Sequence, residues 1–580
     1  MSKNIFIFSF FLTIVSQIYG EKIQNLKITD DQWKFKTGDS IEWGKEDYTD
    51  DKWRTISCKN QWEFQGFGGY DGVAWYRKQI VFPAIFWTEI KSDSCVTMVY
   101  VTNDEDELYV NGQLIKKQPL SASVTGKSGS NRKYIIPLGV LKKNKANVFA
   151  IRIKNKTGNG GLITEDFKFH PTVAVDMLTV NVDIPVTDWV YYKKDKKQLS
   201  IKVSNPLNRI VEANLKLVVS TDDHVKLDSV ITYVKINKNS DITSILPIKI
   251  KKPGFYRLSI QLEDQSISSL PVEFNVGYEP EKIKSPKDAQ NDFSEFWKQS
   301  IEDLKKVEPN YKLTYMPEKS NGARDIYRVE MNSFGNVKIE GYYARPKKDG
   351  KYPAIASFMG YGADPYVPNS NSNVNYAQIL LSVRGQGIQK STNKFGDWIV
   401  YGLDSKENYY YRGAYMDLIR AIDFLCSRPE VDSNKIVAEG GSQGGAFTIV
   451  ASALDNRIKA AAPSIPFLSD FPDYFKIAAW PGNTFKTYIE KHPEYSWEKI
   501  YTILSYFDIK NFAGRIKCPV YMAVGLQDMV CPNHINFAAY NQIKSKKSFK
   551  VYFNQEHSTP SEWTDLKMEF FEKILSKSNQ

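Results

Sequence analysis

The chain has 580 residues, with 77 Lys+Arg against 66 Asp+Glu, five Cys, five His and a formal net charge of +11. Hydrophobic residues at 42% and charged residues at 25% exclude wholesale disorder and collagen-like repeats. The length allows three or four domains with cores of their own. The positive charge is scattered over many lysines and gathers only in short runs such as Lys193-Lys194-Asp195-Lys196-Lys197. A nucleic-acid footprint would concentrate it on one element, so no nucleic-acid partner is expected.

Residues 1–20 place Lys3 before an apolar stretch from Ile5 to Val15, then Tyr19-Gly20 before Glu21, with Ile18 where a small residue is preferred. That is the order of a secretory signal peptide, and it predicts export, to a periplasm or to the outside. The stretch falls short of the roughly twenty residues a spanning helix needs, and no other run approaches that length, so no membrane partner is expected. Cys58, Cys95, Cys426, Cys518 and Cys531 are an odd set without metal-site or disulfide-framework spacing. They read as mostly buried free thiols, and a Cys518–Cys531 bridge is left open. No pair of histidines has metal-ligand spacing, so neither a metal nor a cofactor is expected.

From residue 21 to 172 the chain reads as all-β, with alternating runs such as Phe149, Ile151 and Ile153 broken by the turn cluster Thr157-Gly158-Asn159-Gly160-Gly161. Two stretches are specific: Gln61-Trp62-Glu63-Phe64-Gln65-Gly66 running into Tyr70-Asp71-Gly72-Val73-Ala74-Trp75-Tyr76-Arg77, and Asn103 to Gly112. Both resemble the galactose-binding-like jelly roll of β-galactoside hydrolases and sialate O-acetylesterases, which implies a β-sandwich but not sugar binding. Trp62 and Trp75 are either core residues or platforms for a sugar ring.

Residues 173–278 form a second β module, with alternation at Leu199, Ile201, Val203, at Leu215, Leu217, Val219, and at Tyr256, Leu258, Ile260, Leu262. Turns at Asn205-Pro206 and Pro253-Gly254 fit an immunoglobulin-like sandwich. It holds no catalytic cluster and reads as a spacer. Glu279 to Lys287 is a charged, proline-punctuated linker.

Within 279–580 helices alternate with buried strands. Phe293, Phe296, Trp297, Ile301 and Leu304 make one helical face; Ala414, Leu418, Ala421, Ile422 and Leu425 make another. Pro353 to Phe358, Ile379 to Val383, Ile436 to Ala438, Val520 to Val524 and Lys550 to Phe553 are strand-length runs. Several lack alternation, as parallel strands covered on both faces do. The fold class expected is therefore multidomain: two all-β sandwiches, then an α/β-hydrolase domain with a mostly parallel sheet.

Lys435 to Glu439 is a strand, Gly440-Gly441-Ser442-Gln443-Gly444-Gly445 follows at once, and an amphipathic helix is predicted from about Ala446. This is G-x-S-x-G between a strand and a helix, the setting of a nucleophile elbow. Such a serine needs an acid and then a histidine later in the chain. Asp528 ends the strand Val520 to Val524, and His557 lies in the loop after the last strand. His534, at a helix start after Cys531-Pro532-Asn533, reads as structural, as do His170, His224 and His492.

On these residues the C-terminal half resembles the acetyl xylan esterase and cephalosporin-C deacetylase family. The resemblance rests on Gly360-Tyr361-Gly362, Val383-Arg384-Gly385-Gln386-Gly387, Tyr410-Tyr411-Arg412, the Ser442 motif, Pro466 to Phe471, Gly525-Leu526-Gln527-Asp528 with Cys531-Pro532, and His557. It implies Ser442 as nucleophile, His557 as base, Asp528 as its orienter, and main-chain N–H groups of Tyr361 and Gln443 as the oxyanion hole. Met359 stands where the family has a histidine, and Ser558 where it has an acidic residue. The resemblance implies deacetylation of acetylated xylan or related oligosaccharides, and a possible homo-oligomer. The rival readings are a prolyl-oligopeptidase-like serine peptidase, which would need a β-propeller the sequence does not repeat, and a non-catalytic carbohydrate-binding protein. Since 21–277 hold no nucleophile–base pair, residues from about Lys284 onward are expected to suffice for hydrolysis.

Overall fold

The structure is a computed structural model that describes residues 26–577, apart from 68–69, 89, 91–94, 103, 119–129, 156–159, 265–266 and 270. The signal-like segment 1–20 lies outside the described residues, as do parts of the turn cluster at 157–159. In the N-terminal region alternation gives two antiparallel sheets. One runs Leu26–Ile28, Phe167–Pro171, Cys95–Thr102, Ser130–Pro137. The other runs Arg54–Ser57, Gln32–Thr37, Gly72–Val81, Ala146–Asn155, Glu105–Val110, Gln113–Gln118. Met98, Tyr134 and Phe169 of the first share a core with Phe35, Tyr76 and Phe149 of the second.

Trp62 and Trp75 belong to the interior. Each is 0% exposed, and their indole N–H groups donate to Tyr70 O and Asp39 Oδ1, both at 3.2 Å. A ring that stacks on a sugar must keep one face in water, so neither is a sugar platform.

The middle region also builds two sheets. Thr179–Asp183, Gln198–Asn205 and Ser240–Pro247 form one. Val190–Tyr191, Val272–Tyr278, Gly254–Asp264, Val211–Thr221 and Lys226–Ile236 form the path of the other. The spacer reading is corrected here: Leu215, Leu258 and Phe274 lie in the same continuous core as Ile379, Ile449 and Val524 of the C-terminal region. Phe255 meets Phe537 at 5.6 Å and Trp189 meets Phe553 at 5.0 Å between ring centres. The linker is docked as well. Asn541 Nδ2 donates to the carbonyls of Pro280 and Ile283, both at 3.0 Å, and Ser285 Oγ donates to Asp470 Oδ2 at 2.6 Å.

The C-terminal region carries one nine-stranded sheet, with strands β1 (Lys312–Tyr315), β2 (Arg324–Ser333), β3 (Val337–Pro346), β4 (Tyr352–Phe358), β5 (Ala377–Ser382), β6 (Val431–Gly441), β7 (Ile458–Ser464), β8 (Val520–Gly525) and β9 (Lys547–Tyr552). Their order is β1-β2-β3-β5-β4-β6-β7-β8-β9. The first three and β5 pair antiparallel and the rest parallel. Helices α1 (Phe293–Lys305), α2 (Tyr410–Cys426) and α3 (Gln443–Leu454) cover one face, and the C-terminal helix Glu562–Lys577 lies on the other. Successive residues of one strand feed opposite cores: Ile436 and Ala438 face the first, Val437 the second. Burial on both faces is why these strands read as continuous apolar runs.

Helix α3 starts at Gln443, three residues earlier than the sequence suggested. Its first turn lies so close to β4 that a Cβ on Gly444 would sit 2.0 Å from Phe358 O, and one on Gly440 2.5 Å from Gly444 C. The motif glycines at 440 and 444 serve close backbone approach. Gly444→Ala should therefore cost about 1–3 kcal/mol of stability by chemical denaturation. Gly139→Ala, whose Cβ would meet nothing within 4 Å, should change it by less than about 0.5 kcal/mol.

Candidate active site

Ser442 occupies the turn between β6 and α3 with φ 57° and ψ −121°, a left-handed conformation that costs a non-glycine residue of order 1–3 kcal/mol. Three main-chain bonds hold it there. Its N–H donates to Ser464 O at 3.0 Å, and its carbonyl accepts from Ala446 N at 3.0 Å and Phe467 N at 3.1 Å. The end of β7 and the loop beyond it thus grip the turn and leave the hydroxyl free to face the loops after β8 and β9.

Those loops bring Asp528 and His557 to it. Asp528, 1% exposed, accepts at Oδ1 from the N–H groups of Val530 and Cys531, both at 2.8 Å. Its Oδ2 lies 2.8 Å from His557 Nδ1, and His557 Nε2 lies 2.9 Å from Ser442 Oγ. A carboxylate only accepts, so it fixes the proton on Nδ1 and leaves Nε2 to accept the serine hydroxyl. The two loops fit together because Gly525 has no side chain: a Cβ there would sit 2.0 Å from Glu556 O. Burial works against the imidazolium of His557, Cys531 and Asp528 favour it, and the net direction is upward. Burial pushes the Cys531 thiol up, with His557 pulling the other way. Burial and the charge of Asp528 raise Glu556 to about 7.

Tyr361 and Gln443 both lie next to Ser442, one across the turn from it and the other following it in the chain. A Cβ on Gly360 would lie 3.9 Å from Ser442 Cβ, which sets the Gly360-Tyr361 turn beside the nucleophile. Among the described residues no hydrogen bond uses the main-chain N–H of Tyr361 or Gln443. The side chains beneath are locked. Gln443 Nε2 donates to Gln386 Oε1 at 3.0 Å, Gln386 Nε2 donates to Gln443 Oε1 at 3.2 Å, and Gly362 N donates to Gln386 Oε1 at 3.1 Å. Tyr411 OH donates to Gln443 Oε1 at 2.9 Å, and Tyr410 OH to Arg384 O at 2.8 Å. Arg384 is itself held by Asp417 through Nε at 3.0 Å and Nη2 at 2.6 Å. Sequence reasoning used Arg384, Gln386, Tyr410 and Tyr411 only as marks of resemblance; their work is to fix one turn against another.

His534 stands apart from the triad. Its Nδ1 lies 3.3 Å from Asp222, and its Nε2 lies 3.4 Å from Asp473 and 3.7 Å from Asp470. Asp470, Asp473 and His534 are spaced closely enough to hold an ion. Yet Lys510 already bonds Asp470 and Lys476 already bonds Asp473, each at 2.8 Å. The cluster is thus an ion-pair network between the middle region and the catalytic one. Cys518 and Cys531 are both buried and unbridged.

Burial lowers His534, but Asp222, Asp470 and Asp473 raise it to about 11 from an ordinary 6.5. A raised value means that the imidazolium stabilises the fold in full below the unfolded value and loses that effect as pH rises through the folded one. The stability difference between the parent and His534→Gln should therefore be greatest near pH 6 and shrink as pH is raised towards 11, read from denaturant midpoints along the series.

Comparison with known proteins gives a consistent answer. The family model described as acetyl xylan esterase (AXE1) matches residues 274–574. Acetyl esterase Axe7A of Xylanibacter ruminicola is 29% identical over 341 residues, 56% of this chain and 75% of its own. The crystal structure of acetyl xylan esterase 1 from Thermoanaerobacterium sp. JW/SL YS485 is 30% identical, with 51% of this chain and 97% of that one covered and a TM-score of 0.48. An acetyl xylan esterase from Paenibacillus sp. R4 is 31% identical, covering 51% and 98%, with a TM-score of 0.49. The matched span contains Ser442, Asp528 and His557 and takes in more than half of the sequence, so this chain belongs to the acetyl xylan esterase family.

Proposed function

We propose that this carboxylic ester hydrolase removes acetyl groups from acetylated xylan or related oligosaccharides, with Ser442 as nucleophile, His557 as general base and Asp528 as its orienter. The observation that carries the reading is the unbroken chain from Ser442 Oγ through His557 to Asp528, at 2.9 and 2.8 Å. His557 Nε2 takes the hydroxyl proton as Oγ attacks the acetyl carbonyl. The developing oxyanion is met by the N–H groups of Tyr361 and Gln443, each such donor being worth roughly 3–4 kcal/mol. Collapse of the tetrahedral intermediate expels the sugar oxygen, which His557 protonates; water then attacks the acetyl-enzyme and gives its proton to His557, and collapse of the second intermediate releases acetate as His557 returns the proton to Ser442 Oγ.

A saccharide leaving group is supported by the aromatic wall beside Ser442. Phe467, whose N–H bonds Ser442 O, stacks on Trp480 at 5.1 Å, and Trp480 lies 5.5 Å from Tyr361. Trp480 keeps 37% of its surface exposed, and an indole partly in water offers apolar surface to a pyranose ring. The sheets of residues 21–172 and 173–278 read as a galactose-binding-like and an immunoglobulin-like β-sandwich, with the hydrolase domain at 279–580. Export fits the leader pattern of residues 1–20 and a polymeric substrate outside the cell. Among the described residues no helix is long and apolar enough to cross a membrane.

Acetate release from acetylated xylan and xylo-oligosaccharides tests the assignment. Ser442→Ala should lower kcat at least about 10⁴-fold with the thermal midpoint nearly unchanged, and His557→Ala should do comparable damage. Asp528→Asn should lose somewhat less, and should move the acid limb of kcat/KM to lower pH, because the carboxylate no longer favours the imidazolium. His534→Ala should cost little activity by comparison. Activity retained in His557→Ala but lost in folded His534→Ala would overturn the choice of base.

A further inference from the structure

Asn275 lies in the middle region, 252 residues before Gln527, yet the two exchange bonds. Asn275 N donates to Gln527 Oε1 at 2.7 Å, and Gln527 Nε2 donates back to Asn275 O at 3.2 Å. Asn275 Nδ2 reaches Leu526 O at 3.2 Å. The same Gln527 amide donates to Phe553 O at 2.7 Å, and Gln527 N donates to Gln555 O at 2.9 Å. One side chain, 2% exposed, thus joins three pieces of chain: the last strand of the middle region, the loop carrying Asp528 and the loop carrying His557. On the other side of Asp528, Arg257 Nη2 lies 2.9 Å from Met529 Sδ. The residues before and after the acid are both held from the middle region.

We infer that the Asn275–Gln527 exchange is a positioning device, through which the middle region sets the reach of Asp528 to His557 and is part of the catalytic unit. The inference rests on the triad reading above. It runs against the sequence expectation that residues from about Lys284 onward suffice for hydrolysis. Without the Gln527 amide, the N–H and carbonyl of Asn275 and the carbonyl of Phe553 lose their partners. The two loops then lose their common anchor. A shift of about 1 Å in a positioned group is enough to cost on the order of 10²-fold in rate. Gln527 and Asn275 touch neither substrate nor reacting atoms, so they are positioning residues.

The test uses the full chain and hydrolysis of p-nitrophenyl acetate. Gln527→Leu should lower kcat about 10–100-fold with KM little changed, and should shift the acid limb of the kcat profile to lower pH as Asp528 drifts from the imidazole. Asn275→Ala keeps both main-chain bonds and loses the side-chain contacts with Leu526 O and Met529 Sδ, so it should lower kcat about threefold or more with the limb moving the same way. It stands in if Gln527→Leu fails to fold. Tyr233→Ser, on an exposed face of the middle region, should match the parent. Parental kcat and an unmoved limb in either folded variant would overturn the inference, as would a loss matched by the unfolded fraction with the limb in place. A parent whose hydrolysis survives Ser442→Ala overturns the triad reading and this inference with it. A parent that depends on Ser442 but is indifferent to Gln527→Leu and Asn275→Ala overturns the inference alone.

Discussion

The left-handed turn at Ser442 is the constraint around which the catalytic region is arranged. A β-carbon in that conformation is strained, and the strain persists only where the surroundings determine it. Here they do so from three directions. β7 takes the serine N–H, the Phe467 N–H takes its carbonyl, and the main chain of β4 presses on Gly444 so closely that the first turn of α3 has one place to go. The loops after β8 and β9 can then be short, because the hydroxyl already stands at the carboxyl ends of the parallel strands. The Gln386–Gln443 pair extends the same logic to the neighbouring turn. Two amides that satisfy each other in a buried site leave neither side chain free to wander.

Much of this was legible in the sequence because it is local or ordered along the chain. A strand, a glycine-flanked serine and a helix are contiguous. Asp528 and His557 each follow a strand-length run, and the order serine, acid, histidine leaves few candidates. The lack of alternation in Val520 to Val524 marked a strand covered on both faces. What the sequence concealed was long-range. Nothing near Asn275 signals that its main chain meets Gln527, and nothing near Asp222 signals His534. The antiparallel strands β1 to β3 do not stand out in the sequence, since their mixed polar and apolar residues resemble those of the antiparallel sheets before them. Trp62 and Trp75 were ambiguous because a buried indole and a sugar platform look the same until exposure is known.

Charge at the boundary between the middle and catalytic regions follows a different rule from charge at the triad. Asp222, Asp470 and Asp473 surround His534, with Lys510 and Lys476 completing the set, so each charge has an opposite neighbour. Around His557 stand the Asp528 carboxylate, the Cys531 thiol, the Ser442 hydroxyl and the neighbouring Glu556. The two histidines, 23 positions apart by their numbers, are both pushed up; they differ in that His557 has the Ser442 hydroxyl at Nε2, where His534 has carboxylates at both ring nitrogens.

The division of the hydrophobic interior carries a consequence for how the molecule comes apart. The N-terminal sheets close on a core of their own, whereas the apolar interior of the middle region runs without a break into that of the nine-stranded sheet. Cooperative units of melting follow contiguous packing rather than the order of modules along the chain. Heating should thus open the first as one calorimetric event and the other two together as a second. A protease that nicks the docked linker between the middle and catalytic regions would then find its two fragments still held to each other.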